Sequence, residues 1–584
     1  MRLNQVGSNL KQNINGNYTF NLAMTQGPNP NTAQANLGDG MASFLLGTGA
    51  SGFVQILPSV FTSNLYQAYY IQDDYKVTPR LTLNLGLRYD VENGKRDRFN
   101  QLTWFDYDAP SPLAGPAGIP GLRGGVRFQG IDAPRQYPTD WNNLGPRFGL
   151  AYAVNAKTAV RAGYGIFYLP YVGQAGNSRA SEGYSTQTPW VSSLDGLRPE
   201  NLLRNPFPNG LTMPAGNRNG LLTNVGQNHP DSIDRAPIRS SYVQQWNVNV
   251  QRELPGRIVV EASYVGNKGS KLVDGGWEMN QLRPDLLSQG TALQQLTSNP
   301  FFGLITSGPL SARQVTRGQL LRQFPQYLTV TNFRPTSSSS TYHAFQLRVQ
   351  KDFTGGASFL LAYTNGKLID DSVGVGTGGL ESGHMDAYNR RLSRAVSPQD
   401  ISQRMVMSFV YELPFGRGRA LGGQWPRPVN AVLGNWQFNG QVTLQTGVPL
   451  PLTAPNNMNG FSALQRPNVV GDAKLPGGRS TQEKLAEWFN TRAFAQPAAF
   501  TFGNAGRTLP NVRAPGLRES EMSVFKSFPF GEARRLEFRA EFFNITNTPN
   551  FGVPGLTFGA GAFGVVATQA NTPRQVQLGL KLYL

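Results

Sequence analysis

Cysteine is absent from the 584 residues, which excludes disulfides, thiolate metal sites and cysteine nucleophiles. Histidine is scarce. His229 and His384 fall in loop-like segments and His343 at a strand start, far apart in the chain, so no metal site is expected from them. No run approaches the roughly 18–20 apolar residues of a membrane helix. Mean hydropathy is −0.34, a value that hydropathy alone would assign to water. A membrane β-barrel, however, hides its apolar surface in alternate positions. The first twenty residues, MRLNQVGSNLKQNINGNYTF, hold no apolar h-region and no small-residue cleavage site, so no secretory signal is expected in them. Acidic residues number 35 against 53 Lys and Arg, a net charge of +18. Such a balance can serve nucleic acid, but here the basic residues are spread along the chain without an arginine-rich helix, zinc-finger spacing or RNP-type motif. No nucleic-acid partner is expected. A basic proteome, a chain whose acidic part is missing, or an anionic surface such as a lipopolysaccharide-rich leaflet accounts for the charge.

Enzymatic constellations are also wanting. The glycines of 354–378 form no phosphate loop, because no Lys-Ser/Thr follows a strand and a GxxxxG turn. Asp370, Asp371 and Asp386 share a long loop and could bind Ca²⁺, but their spacing matches no EF-hand, and a solvated loop is the expectation. No catalytic, cofactor or metal residue is assigned, and the chain is not expected to be an enzyme.

What the chain has is alternation. In Tyr69 to Asp90, YYIQDDYKVTPRLTLNLGLRYD, Leu81, Leu83, Leu85, Leu87 and Tyr89 alternate with Thr82, Asn84, Gly86, Arg88 and Asp90. Strand geometry sends these sets to opposite faces, whereas a helix would scatter the leucines. A tight turn at Val77–Arg80 precedes them. Similar pairs follow: 145–154 with 157–168 about Asn155–Ala156, 241–253 with 257–266 about Leu254–Gly256, and 341–353 with 356–365 about Thr354–Gly355. Residues 402–413 and 433–447 flank a longer turn, 517–529 and 533–545 flank Phe530–Glu532, and 573–584 is a last strand. Residues 1–62 offer only weak strands, Tyr18–Ala23 and Phe53–Leu57, and the short apolar stretch 41–50.

Connections within pairs are short. Those between pairs are long (about 93–144, 169–240, 267–340, 366–401, 448–516 and 546–572) and rich in turn-forming Gly, Pro, Asn and Ser. Short turns at one end and long loops at the other are the pattern of an outer-membrane barrel. A strand of about 12 residues at roughly 3.4 Å per residue is about 40 Å long. Tilted by about 45°, it spans about 28 Å, enough for an apolar band of about 25 Å. Aromatic residues near strand ends (Tyr69, Tyr70, Tyr168, Tyr242, Tyr264, Tyr363, Trp436) suit the interfacial girdles. The expected class is all-β, a transmembrane antiparallel β-barrel. Residues 1–62 form a loop-rich segment and 63–584 a barrel of about thirteen clear strands. Asn84, Arg88, Arg161, Asn247, Asn249, Gln251, Gln346, Arg348, Gln437 and Gln441 would face the lumen. Glu537, Arg539 and Glu541 would form a charge ladder there, and Asp73–Asp74 a charge pair at a strand end.

Several stretches, in order, carry a resemblance: the opening hairpin, RAGYGIFY (161–168), YVQQWNVNVQRELPGRIVVEASYVGNKGSKL (242–272), YTNGKLIDD (363–371), YELPFGRG (411–418), NWQFNGQVTLQTGVPL (435–450) and FRAEFFNITNTPNFGVP (538–554). The chain resembles the C-terminal barrel of TonB-dependent outer-membrane receptors, of the Oar-like group. The resemblance implies a 22-stranded barrel around an N-terminal plug, a signal peptide, and a TonB box energised by TonB–ExbB–ExbD. It also implies a last strand read by the barrel-assembly machinery through a terminal aromatic; here Tyr583 lies one place before the end. The expected function is uptake of a large ligand, which the loops do not identify. The alternatives are a passive pore or surface adhesin on the same barrel, and a soluble β-rich binding protein such as a propeller, whose blades would recur at near-constant length. An even strand number against about thirteen clear strands leads to the expectation of a C-terminal piece of a longer receptor, without plug or signal peptide.

Overall fold

In the computed structural model the described residues are 2–9, 13–26, 38–171, 180–194, 198–227, 231–232, 235, 238–374, 383–458, 460–461, 464–530 and 534–584. Their dominant feature is one antiparallel wall. Its fourteen successive strands are β1 (Arg2–Asn9), β2 (Ser59–Thr78), β3 (Leu81–Glu92), β4 (Asp140–Asn155), β5 (Thr158–Leu169), β6 (Ser241–Leu254) and β7 (Ile258–Val273), followed by β8 (Thr336–Thr354), β9 (Ala357–Asp370), β10 (Gln403–Glu412), β11 (Trp436–Gln445), β12 (Leu517–Pro529), β13 (Arg535–Phe543) and β14 (Gln575–Tyr583). Each pairs with the next in chain order. Among the described residues, neither β1 nor β14 has a second wall neighbour.

The wall meander follows from local chemistry. Pro79–Arg80 joins β2 to β3, and Gly355–Gly356 joins β8 to β9 with both glycines at positive φ, a conformation that costs glycine nothing and other residues steric strain. The register then sorts the side chains. Leu85, Phe148, Tyr164, Trp246, Gly266 and His343 are successive cross-strand partners on one face. Gln72, Gly86, Arg147, Gly165 and Gln245 are successive partners on the other. The wall therefore has a continuous apolar face and a continuous polar face. On the apolar face Gly266 makes room for the Trp246 ring, which a Cβ there would meet at 2.2 Å. Gly266→Val is expected to displace the indole at a cost of about 1–3 kcal/mol, seen as a shifted tryptophan emission and a lowered unfolding midpoint.

Two expectations are corrected here. Tyr18–Ala23 and Phe53–Leu57 do not supply the wall's preceding strand. The strands found there, Asn17–Thr19 and Ser51–Ile56, pair with each other and with Thr186–Pro189 in a small separate sheet. The preceding strand is β1, whose sequence RLNQVGSN has no apolar face. It pairs only with Ser59–Tyr66, the part of β2 farthest from the tight turn, beyond the roughly 12 residues that an apolar band of about 25 Å requires. Several strands also run past their expected long-loop ends: β8 begins at Thr336, not 341, and β7 ends at Val273, not 266. The added TSSSS of β8 is polar for the same reason.

The long connections are not structureless. They hold the buried cores, while the wall buries little. Phe105, Val126 and Phe128 of the β3–β4 connection pack with Phe324, Tyr327 and Val330 of the β7–β8 connection. Leu282, Leu287 and Leu293 of β7–β8 pack with Met458, Phe461 and Phe500 of β11–β12. The β11–β12 connection in turn buries Leu450, Phe489 and Phe494 against Leu556, Phe558 and Phe563 of β13–β14. The result is a loop layer linked across the whole wall.

Candidate functional site

The polar face carries every residue assigned to it from the alternation. Arg88 donates to the Asp90 carboxylate (2.9 Å) and to the Tyr66 hydroxyl (3.0 Å). Arg161 donates to Gln251 (2.7 Å), Asn249 to Glu261 and Ser263 (2.5 and 2.7 Å), Arg348 to Gln350 (2.6 Å) and Gln437 to Asn439 (2.6 Å). Gln346 stands opposite Ser263 and Thr364, and Gln441 opposite Ser408 and Glu521. The charge ladder is partly local: Arg539 pairs with Glu537 on its own strand (2.7 Å) and reaches Tyr583 on β14 (3.3 Å), while Glu541 stands opposite Gln577. Asp73 and Asp74 are not a charge pair. They are successive strand residues on opposite faces: Asp74 accepts from Asn84 (2.5 Å) and Asp73 lies opposite Leu85.

Asn84 and Asn247 line a recess of about 370 Å³ in this face, across β2–β6. Its side chains include Gln72, Arg147, Phe167 and Gln245, and its floor is thinned by Gly86, Gly149, Gly163 and Gly165. Gly165 is required by the packing above it, since a Cβ there would lie 2.9 Å from the Phe167 ring. Arg147 stacks on that ring, 4.8 Å from its centroid. Arg147 was not singled out from the sequence, although its alternation with Phe148, Leu150 and Tyr152 already placed it on the polar face.

A second centre lies where the wall meets the loop layer. Asp274, directly after β7, is fully buried. It accepts from His384 Nε2 (3.0 Å), from the Gly276 amide (3.1 Å) and from the Ser338 hydroxyl. His384 Nδ1 pairs with the Ser393 hydroxyl (2.8 Å). The Ser393 carbonyl accepts from Arg507 (3.0 Å), which also donates to the Ser372 carbonyl (3.1 Å) and pairs with the Asp370 carboxylate. Aspartate, histidine and serine are the residue types of a hydrolytic triad, but Asp274, His384 and Ser393 are 0%, 5% and 2% exposed, closed to any substrate. Their role is to tie three connections to the tops of β7 and β9. No sequence spacing could have shown this, because Asp274 and His384 are 110 residues apart.

The candidate Ca²⁺ ligands do not converge. Asp370 is taken by Arg507, Asp371 accepts from the Ser339 amide (2.6 Å), and Asp386, buried rather than solvated, accepts from the Tyr388 amide (2.9 Å). No cluster of three potential metal ligands occurs among the described residues. His343 lies on the apolar face stacked with Tyr264 (ring centroids 6.1 Å apart), and His229 lies outside the described residues.

Lys95, buried just beyond β3, is pushed down to about 8 by burial, with Glu92 opposing. Its folded value lies below its ordinary value of 10.5, so the unfolded chain holds more protons between the two. Stability of this region is therefore expected to rise with pH from about 8 toward 10.5. Lys95→Met should abolish that slope, measured as protease resistance of the loop layer across the pH range.

One family of known proteins matches this architecture. The outer membrane beta barrel domain matches residues 1–577. No curated protein matches. Among solved structures, the outer membrane transporter YddB from Escherichia coli aligns with TM-score 0.39 and 8% identity over 91% of this chain and 55% of its own. The ferripyoverdine receptor of Pseudomonas aeruginosa gives 0.38 and 9% over 90% and 39%. The siderophore receptor PiuA from Acinetobacter baumannii gives 0.36 and 9% over 92% and 44%. The chain thus spans about half or less of the length of these solved proteins. With the domain matched over nearly its whole length, the chain belongs to the outer membrane beta barrel domain family, and the outer membrane is its location.

Proposed function

We propose that this chain is the transport barrel of a TonB-dependent receptor of the Oar-like group, taking up a large ligand across the outer membrane. The observation that carries the reading is a two-faced wall whose long connections all emerge at one end and fold into a packed layer there. Such a layer offers binding surface outside, and the polar face offers a path inside. Residues 63–584 supply most of the wall and its loops, joined by β1 and the start of β2 from the segment before them. Energy comes from TonB–ExbB–ExbD through a plug and TonB box elsewhere in the receptor, insertion goes through the barrel-assembly machinery, and the apolar face meets lipid and lipopolysaccharide. Catalysis has no part in this reading. In lipid, unpaired backbone groups cost several kcal/mol each, so the edges of β1 and β14 that have no wall neighbour among the described residues pair with other strands or with each other.

Expression, in a Gram-negative host, of the whole receptor that carries this chain tests the proposal. The product is expected in the outer-membrane fraction, with gel mobility that changes on heating. Ligand uptake should cease when TonB is deleted. Uptake that persists without TonB would instead establish a passive pore, and a soluble product would end both readings.

A further inference from the structure

We propose that the recess around Arg147 is a subsite for a sugar acid: a small polyhydroxylated molecule bearing one carboxylate. The inference rests on the reading of the polar face as a solute path and adds a chemical class to it. The Arg147 guanidinium lies over the Phe167 ring, 4.8 Å from its centroid. Its Nε is buried without a hydrogen-bond partner, and the side chain is engaged in no ion pair among the described residues. Its neighbours on the same face are committed, Arg88 to Asp90 and Tyr66, and Arg161 to Gln251. A guanidinium presents a planar fork of donors that matches a carboxylate, and a buried donor left without a partner is costly. Arg147 is held over the ring, and no carboxylate among the described residues neutralises it.

The surroundings select what carries that anion. Gln72, Asn84, Gln245 and Asn247 line the same recess. Each carboxamide can both donate and accept, which complements vicinal hydroxyl groups. The glycines keep these amides clear: a Cβ at Gly149 would lie 3.0 Å from Asn84 Oδ1, and one at Gly163 3.3 Å from Asn247 Oδ1. The volume of about 370 Å³ falls in the range of roughly 300–1,000 Å³ usual for small-ligand sites. Asp74, hydrogen-bonded to Asn84, places one negative charge beside the recess and disfavours a second anionic group on the ligand.

The test uses the full chain in detergent micelles, its wall verified by heat-modifiable mobility, titrated with galacturonate and with galactose by calorimetry. Galacturonate is expected to bind at least tenfold more tightly than galactose. Arg147→Gln should weaken galacturonate at least tenfold and leave galactose unchanged. Gly163→Leu, which fills the recess without touching the charge, should abolish both. Equal binding of the two sugars, binding of neither, or Arg147→Gln binding like the unaltered chain overturns the proposal. So does protection of Arg147 from phenylglyoxal in outer membranes free of sugar, which would mean that a protein segment fills the recess. The transport reading fails separately, by loss of outer-membrane fractionation or of heat-modifiable mobility.

Discussion

Arg507→Ala is expected to loosen the loop layer by about 3–5 kcal/mol, the usual cost of removing one partner from a buried ion pair. Arg507 is 1% exposed. Without it, Asp370 loses its counter-charge and the carbonyls of Ser372 and Ser393 lose a donor. His384→Ala should cost about 3 kcal/mol, because Asp274 keeps only Gly276 and Ser338 as the donors seen around it and a buried carboxylate short of partners is expensive. Ser393 links the two, its hydroxyl to His384 and its carbonyl to Arg507. The double variant should therefore fall short of the sum of the single ones, as neighbours sharing a partner do. Hydrogen exchange in residues 274–335, 371–402 and 446–516 measures the loss. Heat-modifiable mobility of the wall should be unchanged in all three variants; its loss would mean that the network holds the wall and not the layer.

Leu361→Arg and Leu360→Arg form the second contrast, between adjacent residues of the same type. Leu361 stands opposite Val349 and Met407 on the apolar face. Leu360 stands opposite Gln350 and Ser408 on the polar face. Arginine on the lipid face near mid-depth costs about 2–4 kcal/mol, whereas the lumen side tolerates it. Leu361→Arg is thus expected to lower the unfolding free energy in lipid vesicles by that amount, and Leu360→Arg to leave it within about 0.5 kcal/mol. Equal effects from the two would show the register to be wrong by one residue, since such a slip exchanges the faces.

The wall was legible because lipid enforces a period of two. Leu81 to Tyr89 and Val576 to Tyr583 could be assigned to faces residue by residue, and the register agrees. Where the strands leave the bilayer, the constraint lapses and so does the signal. β1 pairs in continuous register and the TSSSS start of β8 pairs through two register shifts, but both read as polar loop. The loop cores were illegible for another reason. Phe105 meets Phe324 and Leu287 shares a core with Phe500, across distances at which no local pattern operates. At Arg147 the alternation gave the face, but only the coordinates show that its Nε lacks a partner.

The separation of the buried cores from the wall has a consequence for how the chain matures. Hairpins such as β2–β3 and β8–β9 bring together residues close in sequence, so each can form and enter the bilayer with little loop-closure cost. The cores of the layer join connections that belong to different hairpins, for example β3–β4 with β7–β8. They cannot consolidate until the intervening strands stand side by side. Insertion is therefore the early event and consolidation of the layer the late one. An incompletely inserted chain would show a protease its unconsolidated connections, so faulty assembly would be read on whichever side the layer lies.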